Sequence, residues 1–176
     1  SHFTSTDIWH TGNHSGQGYG WLGKYFDNTC AGKPNPKGSI AIGNKAPLAL
    51  HGKTQKAVNF ETEELFRWAG STVDSSLKNS YDTINRKEVE AKENDSQLDF
   101  LVRTSLDAQV SSDRIRAAVS KQPLLNYPDG QLAQQLQLIA SMIRADLPTR
   151  VYYASLGGFD THANQLNSHG NLMRQL

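Results

Sequence analysis

Arg150-Val151-Tyr152-Tyr153-Ala154-Ser155-Leu156-Gly157-Gly158-Phe159-Asp160-Thr161-His162 is the stretch on which the reading of the fold turns. The run 150–156, rich in aromatic and β-branched side chains, predicts a buried strand. Gly157 and Gly158 permit a sharp bend. Asp160 and His162 then fall at the start of a predicted helix that carries Gln165 and His169. Helical patterns lie on both sides of the strand. Helix, strand and helix around a largely unbroken apolar strand indicate an α/β protein whose sheet is covered on both faces. In such sheets ligands gather beyond the carboxyl ends of the strands, which is where Asp160 and His162 stand.

Working upstream, Leu132, Leu136, Ile139, Met142 and Ile143 recur at helical spacing after a turn at Pro128-Asp129-Gly130. This helix is expected to end before Pro148. Residues 97–121 carry an apolar stripe that includes Leu106, Val110, Ile115 and Val119, a long amphipathic helix closed by Pro123. The segment 61–69, acidic in its first turn and followed by Gly70, suits another helix. Residues 71–96 are polar with few apolar anchors. Three short apolar runs, 39–42, 47–50 and 57–60, read as short strands in a hairpin-like excursion after a Pro/Gly loop at 31–38. The region 31–96 is therefore expected to be a polar insertion. Nearer the amino end, Phe3, Ile8 and Trp9 predict a helix over 3–11 stopped by Gly12. Trp21, Leu22, Tyr25 and Phe26 predict a second, short one.

The 176 residues suffice for one domain with a real core. Eighteen basic side chains against 17 acidic ones leave a net charge of +1, which offers no footprint for nucleic acid or an anionic membrane. No apolar run approaches the roughly 20 residues that span a bilayer. Cys30 is the single cysteine, so no internal disulfide and no cysteine-based zinc cluster is possible. No strand precedes Ser1 and the last helical pattern still runs at Leu176, so residues 1–176 are expected to be the central part of one longer domain.

Asp160 alone would serve as a helix N-cap, and His162 alone as a surface histidine. Together they offer a carboxylate oxygen and a neutral imidazole, donors that suit zinc, manganese and similar ions. On a helix, His162 and His169 would share a face about two turns apart. Gly18-Tyr19-Gly20-Trp21-Leu22-Gly23 matches G-x-G-x-x-G, but no strand leads into it and no acidic residue follows at the dinucleotide-binding distance. It reads as a loop feeding a packed helix. His10 and His14 have zinc-pair spacing, yet Gly12 and Asn13 break the helix between them, which makes them surface loop histidines.

Three segments carry a resemblance. Ser1-His2-Phe3-Thr4-Ser5-Thr6-Asp7-Ile8-Trp9, then Gly20-Trp21-Leu22-Gly23-Lys24-Tyr25-Phe26-Asp27, then Leu156-Gly157-Gly158-Phe159-Asp160-Thr161-His162 with His169 resemble a large bacterial family in order and approximate spacing. It is the domain of unknown function 1501 family, placed with the alkaline phosphatase and sulfatase superfamily. The resemblance implies a three-layer α/β/α, alkaline-phosphatase-like fold and export to the periplasm. It also implies metal-dependent hydrolysis of phosphate or sulfate esters, on a small anionic ester or a polysaccharide-linked substrate. In that superfamily a nucleophile begins a helix beside one or two metals, and Ser1 stands at the matching place. The resemblance makes Ser1 catalytic and makes Asp160 and His162 ligands of a divalent metal. Zinc is the first choice, with manganese, magnesium or calcium as alternatives. His169 is a further candidate ligand, or a group behind one. The better-known phosphatases separate this Asp and His by three residues; here only Thr161 intervenes, with Asn164 at the wider position. No Cys/Ser-x-Pro-x-Arg sulfatase signature surrounds Ser1 or Cys30. The alternative reading is an exported, non-catalytic binding or scaffold protein that keeps the hydrolase fold and binds through 31–60 and 71–96.

Overall fold

The structure is a computed structural model of the chain and describes residues 1–29, 38–62, 76–77, 79–80, 83, 112–120, 125–163 and 165–176. In chain order these form helices α1 (His2–Thr11) and α2 (Trp21–Thr29), strand β1 (Ser39–Ile42) and a 3-10 turn (Leu48–Leu50). Strand β2 (Val58–Phe60), a helical stretch over 112–119, helix α3 (Gln131–Arg144), strand β3 (Val151–Tyr153) and helix α4 (Gln165–Arg174) follow. The strands make one sheet in the order β2-β1-β3, and both pairings are parallel. Ile40 stands opposite Val58 on one side and Tyr152 on the other. The protein is mixed α/β.

β1 is buried along its whole length. Ile40 and Ile42 share one face and are 1 % and 2 % exposed; there they join Phe60, Ile115, Ala118 and Met142 in the core. Leu138, Ile139 and Tyr152 pack against that cluster from α3 and β3. Ser39 and Ala41 point the other way by strand alternation and are just as buried, so the central strand is covered on both faces. Withdrawing an isoleucine side chain from water contributes about 1.5–3 kcal/mol, which makes this strand the strongest anchor of the sheet.

The segment 39–60 departs from expectation. It is no hairpin: β1 and β2 run parallel, and parallel neighbours need a crossover between them. Residues 43–57 make that crossover. The run expected as a middle strand is instead a 3-10 turn at Leu48–Leu50, entered from Pro47 at φ −68°. A proline has no N–H to give a ladder and favours the start of a helical turn. Nor is 39–60 part of a polar insertion, because it holds the central strand of the sheet. The strand expected over 150–156 spans only Val151–Tyr153 and is partly buried, at one edge of the sheet as described. The helix expected at 61–69, most of 71–96 and the first part of the 97–121 helix lie outside the described residues; 112–119 is helical.

The helices near the amino end match their patterns. Ser1 caps α1, its Oγ accepting from the Thr4 N–H at 3.3 Å, and Gly12 ends the helix at φ +63° with its N–H on Ile8 O. Lys24 of α2 donates to the Thr11 carbonyl at 3.1 Å, placing a cation at the negative end of α1. The glycines of the G-x-G-x-x-G match have a packing role. A Cβ on Gly20 would stand 1.9 Å from Leu48 O, and one on Gly23 would stand 2.2 Å from Gly52 N. Helix α2 therefore lies directly on the backbone of 48–52, with Gly20 N–H bonded to His51 O at 2.8 Å.

Candidate metal centre

After β3 the chain leaves the sheet as an irregular segment that runs to residue 163. Gly158 adopts φ +91°, a left-handed conformation that side chains resist, and this turns the chain. A tight bond from Thr161 N–H to Phe159 O, 2.9 Å, completes the turn and presents Asp160.

Each carboxylate oxygen of Asp160 faces a different imidazole. Oδ1 is 2.8 Å from His162 Nε2, and Oδ2 is 3.7 Å from His2 Nε2. The rings of His2 and His162 meet edge to face at 6.4 Å between centroids. One ligand atom from each of the three residues lies within 4.8 Å of the others. All three side chains are solvent-exposed: 60 % for Asp160, 79 % for His162 and 81 % for His2.

The local sequence explains the convergence. His2 is the first residue of α1, and Ser1 before it is fixed as the cap by Thr4, whose backbone N–H and hydroxyl both meet Ser1 Oγ. His162 is held two positions from Asp160 by the bend. Asp160 is not the N-cap of α4, which begins only at Gln165. His162 and His169 therefore do not share a helix face: His162 precedes α4 and His169 lies within it. His169 instead packs edge-on against Phe159, with ring centroids 5.9 Å apart. Among the described residues, the convergent group is His2, Asp160 and His162.

Sequence reasoning missed His2. His2 lies in the Ser1–Trp9 segment, but its contact with Asp160 comes from the far end of the chain, and no local spacing encodes such a contact.

Two donors on one tetrahedral zinc stand about 3.3 Å apart. The separations of 2.8 and 3.7 Å lie on either side of that value and the third pair lies within 4.8 Å, so the three residues could hold an ion only after their exposed side chains rotate. Two neutral imidazoles and one carboxylate are a donor set used for zinc with a fourth position left open.

Comparison of the chain with family models, curated proteins and solved structures finds no match. The fold and the site define a class: an α/β protein with a parallel sheet and an exposed His/Asp/His group, two of whose members follow the carboxyl end of β3. No helix among the described residues is long and apolar enough to cross a membrane.

Proposed function

We propose that the chain belongs to a metal-dependent hydrolase of phosphate or sulfate esters with a three-layer, alkaline-phosphatase-like fold. One observation carries this reading: a single carboxylate meets two imidazoles contributed by opposite ends of the sequence. In this proposal Asp160, His162 and His2 hold one divalent cation, zinc by preference. The ion would supply positive charge against the transferring group. Ser1, adjacent to His2, is the proposed nucleophile. Its position at the start of the ten-residue α1 favours an anionic group, since the first N–H groups of a helix are unpaired and its dipole is positive there. Ser1 Oγ shares a hydrogen bond with Thr4 Oγ1 at 3.0 Å, which fixes its position at the head of the helix. The substrate class is a small anionic ester or one attached to a polysaccharide, met after export to the periplasm.

The test is hydrolysis of aryl phosphate and aryl sulfate esters by the whole protein that contains this chain, after chelation, after reloading with zinc, manganese, magnesium or calcium, and with Ser1→Ala. Turnover should return with metal and fall by about a hundredfold or more without Ser1. Metal-independent turnover, or turnover unchanged in Ser1→Ala, would contradict the proposal.

The second reading, a non-catalytic binding protein of the same fold, draws on the exposure of Phe3 and Trp9 on α1, 84 % and 79 %. Large exposed aromatics often mark interaction surfaces.

A further inference from the structure

The carboxyl ends of the three parallel strands carry a second polar site, independent of the metal centre. The chain passes from β1 to its neighbour β2 and then crosses to β3 on the other side, so the topological switch point falls between β1 and β3. Open α/β sheets collect ligands at that point. Gln135 of α3 stands there. Its Oε1 accepts from Ser155 N–H, just past β3, at 3.1 Å. Its Nε2 lies 4.0 Å from where a Cβ on Gly43, the residue after β1, would be. Gln135 is 5 % exposed, yet among the described residues its Nε2 donates to no acceptor. That nitrogen is not sealed from solvent, so it is available to donate into the adjoining groove.

Gln135 lines an open groove of about 520 Å³ together with Gln131, Gln134, Glu61, Val119 and Leu138. Glu61 directly follows β2. With its amide nitrogen turned toward Glu61, Asn44 donates to both carboxylate oxygens, at 2.6 and 2.9 Å, and fixes that carboxylate. The volume lies within the range of small-molecule sites, about 300–1,000 Å³.

The lining selects a ligand chemistry. Each glutamine offers a donor and an acceptor, Glu61 offers acceptors alone, and none of the described lining residues is cationic. An anionic ligand would meet Glu61 without compensation. A ligand bearing many hydroxyls can both donate and accept, and its C–H faces can lie on Val119 and Leu138. We propose that this groove binds a neutral saccharide, with Gln135 Nε2 donating to a ring or hydroxyl oxygen and Glu61 accepting from hydroxyls.

The inference does not use the metal, so its test is run in chelator and its failure leaves the hydrolase proposal untouched. The whole chain is titrated by calorimetry and saturation-transfer NMR with glucose, galactose, N-acetylglucosamine, cellobiose and chitobiose. Glucose 6-phosphate serves as the anionic counterpart. At least one neutral sugar should bind, and the phosphorylated sugar should bind about tenfold more weakly than glucose. Tighter binding of the disaccharides would identify a polymer end as the source, and equal binding a free sugar. Gln134→Ala, on the exposed side of the groove, and Gln135→Glu, which keeps the acceptor for Ser155 but loses the donor, should each weaken binding about tenfold. Circular dichroism checks that both variants fold. No binding by any neutral sugar up to about 10 mM overturns the proposal. So does binding unchanged in the folded variants, or a preference for glucose 6-phosphate.

Discussion

Asp27, the last residue of the resembling segment 20–27, ties α2 to the crossover between β1 and β2. Its Oδ2 accepts from Lys53 N–H at 2.6 Å, and its Oδ1 from Thr54 and Gln55 N–H at 3.0 and 2.9 Å. Burial pushes its carboxyl up, but the three backbone donors and the Lys53 charge prevail and hold it below the ordinary 3.8. A depressed carboxylate stabilises the fold above its unfolded pKa, and the contribution is lost as pH falls from 3.8 through the lower folded value. His51 nearby is also shifted down from 6.5, by burial first and then by Lys56 and Lys45. Protonating it therefore opposes folding as pH falls below 6.5. Acid destabilisation should thus come in two ranges. We expect Asp27→Asn to lower stability by about 1–2 kcal/mol at pH 7 and to flatten only the more acid range, read by urea denaturation across pH. Equal loss at all pH values would contradict this. At this scale the sequence was partly legible. Asp160 and His162 announced their partnership because both lie on one short loop. His2 and Asp27 did not, because their partners lie far along the chain or are backbone N–H groups that no side-chain pattern displays.

Helix α2 shows how an element's packing can mimic a functional motif. Gly20 and Gly23 are small because backbone lies against them, 1.9 and 2.2 Å from where their Cβ atoms would be. In a free helix alanine is favoured over glycine by about 1 kcal/mol. Here the clash with Gly52 is with backbone and wins, so Gly23→Ala should destabilise the chain by about 2 kcal/mol or more, measured by thermal or urea unfolding. A neutral or stabilising effect would mean that α2 does not rest on 48–52. The existence of α1, α2, α3, β1 and β2 followed from apolar periodicity and stop residues. Strand direction did not, since a run as short as Ser-Ile-Ala-Ile reads the same in a parallel or an antiparallel pairing. The 47–50 run was misread for the same reason: four apolar or small residues after a proline suit a strand or a helical turn equally well. The short extent of β3 was hidden because Ala154-Ser155-Leu156 hold no proline or glycine to stop a strand before Gly157.

The molecule as a whole is mixed α/β, and this much the chain of predicted elements did convey; the strand covered on both faces was expected at 150–156 but is Ser39–Ile42. Parallel pairing points every strand's carboxyl end the same way, so Gly43, Glu61, Ser155 and the loop bearing Asp160 all follow those ends. The amide-lined groove and the His/Asp/His group are both products of that topology. The central claim is that the group holds a metal ion, and the most direct measurement is metal content and affinity, without reference to turnover. The chain is dialysed against zinc, freed of excess and analysed by inductively coupled plasma mass spectrometry, with calorimetric titration of the chelated protein. We expect about one zinc per chain, lost in Asp160→Ala and His162→Ala, weakened at least tenfold in His2→Ala and retained in His169→Ala. Zinc bound no better by the parent chain than by Asp160→Ala would contradict the claim.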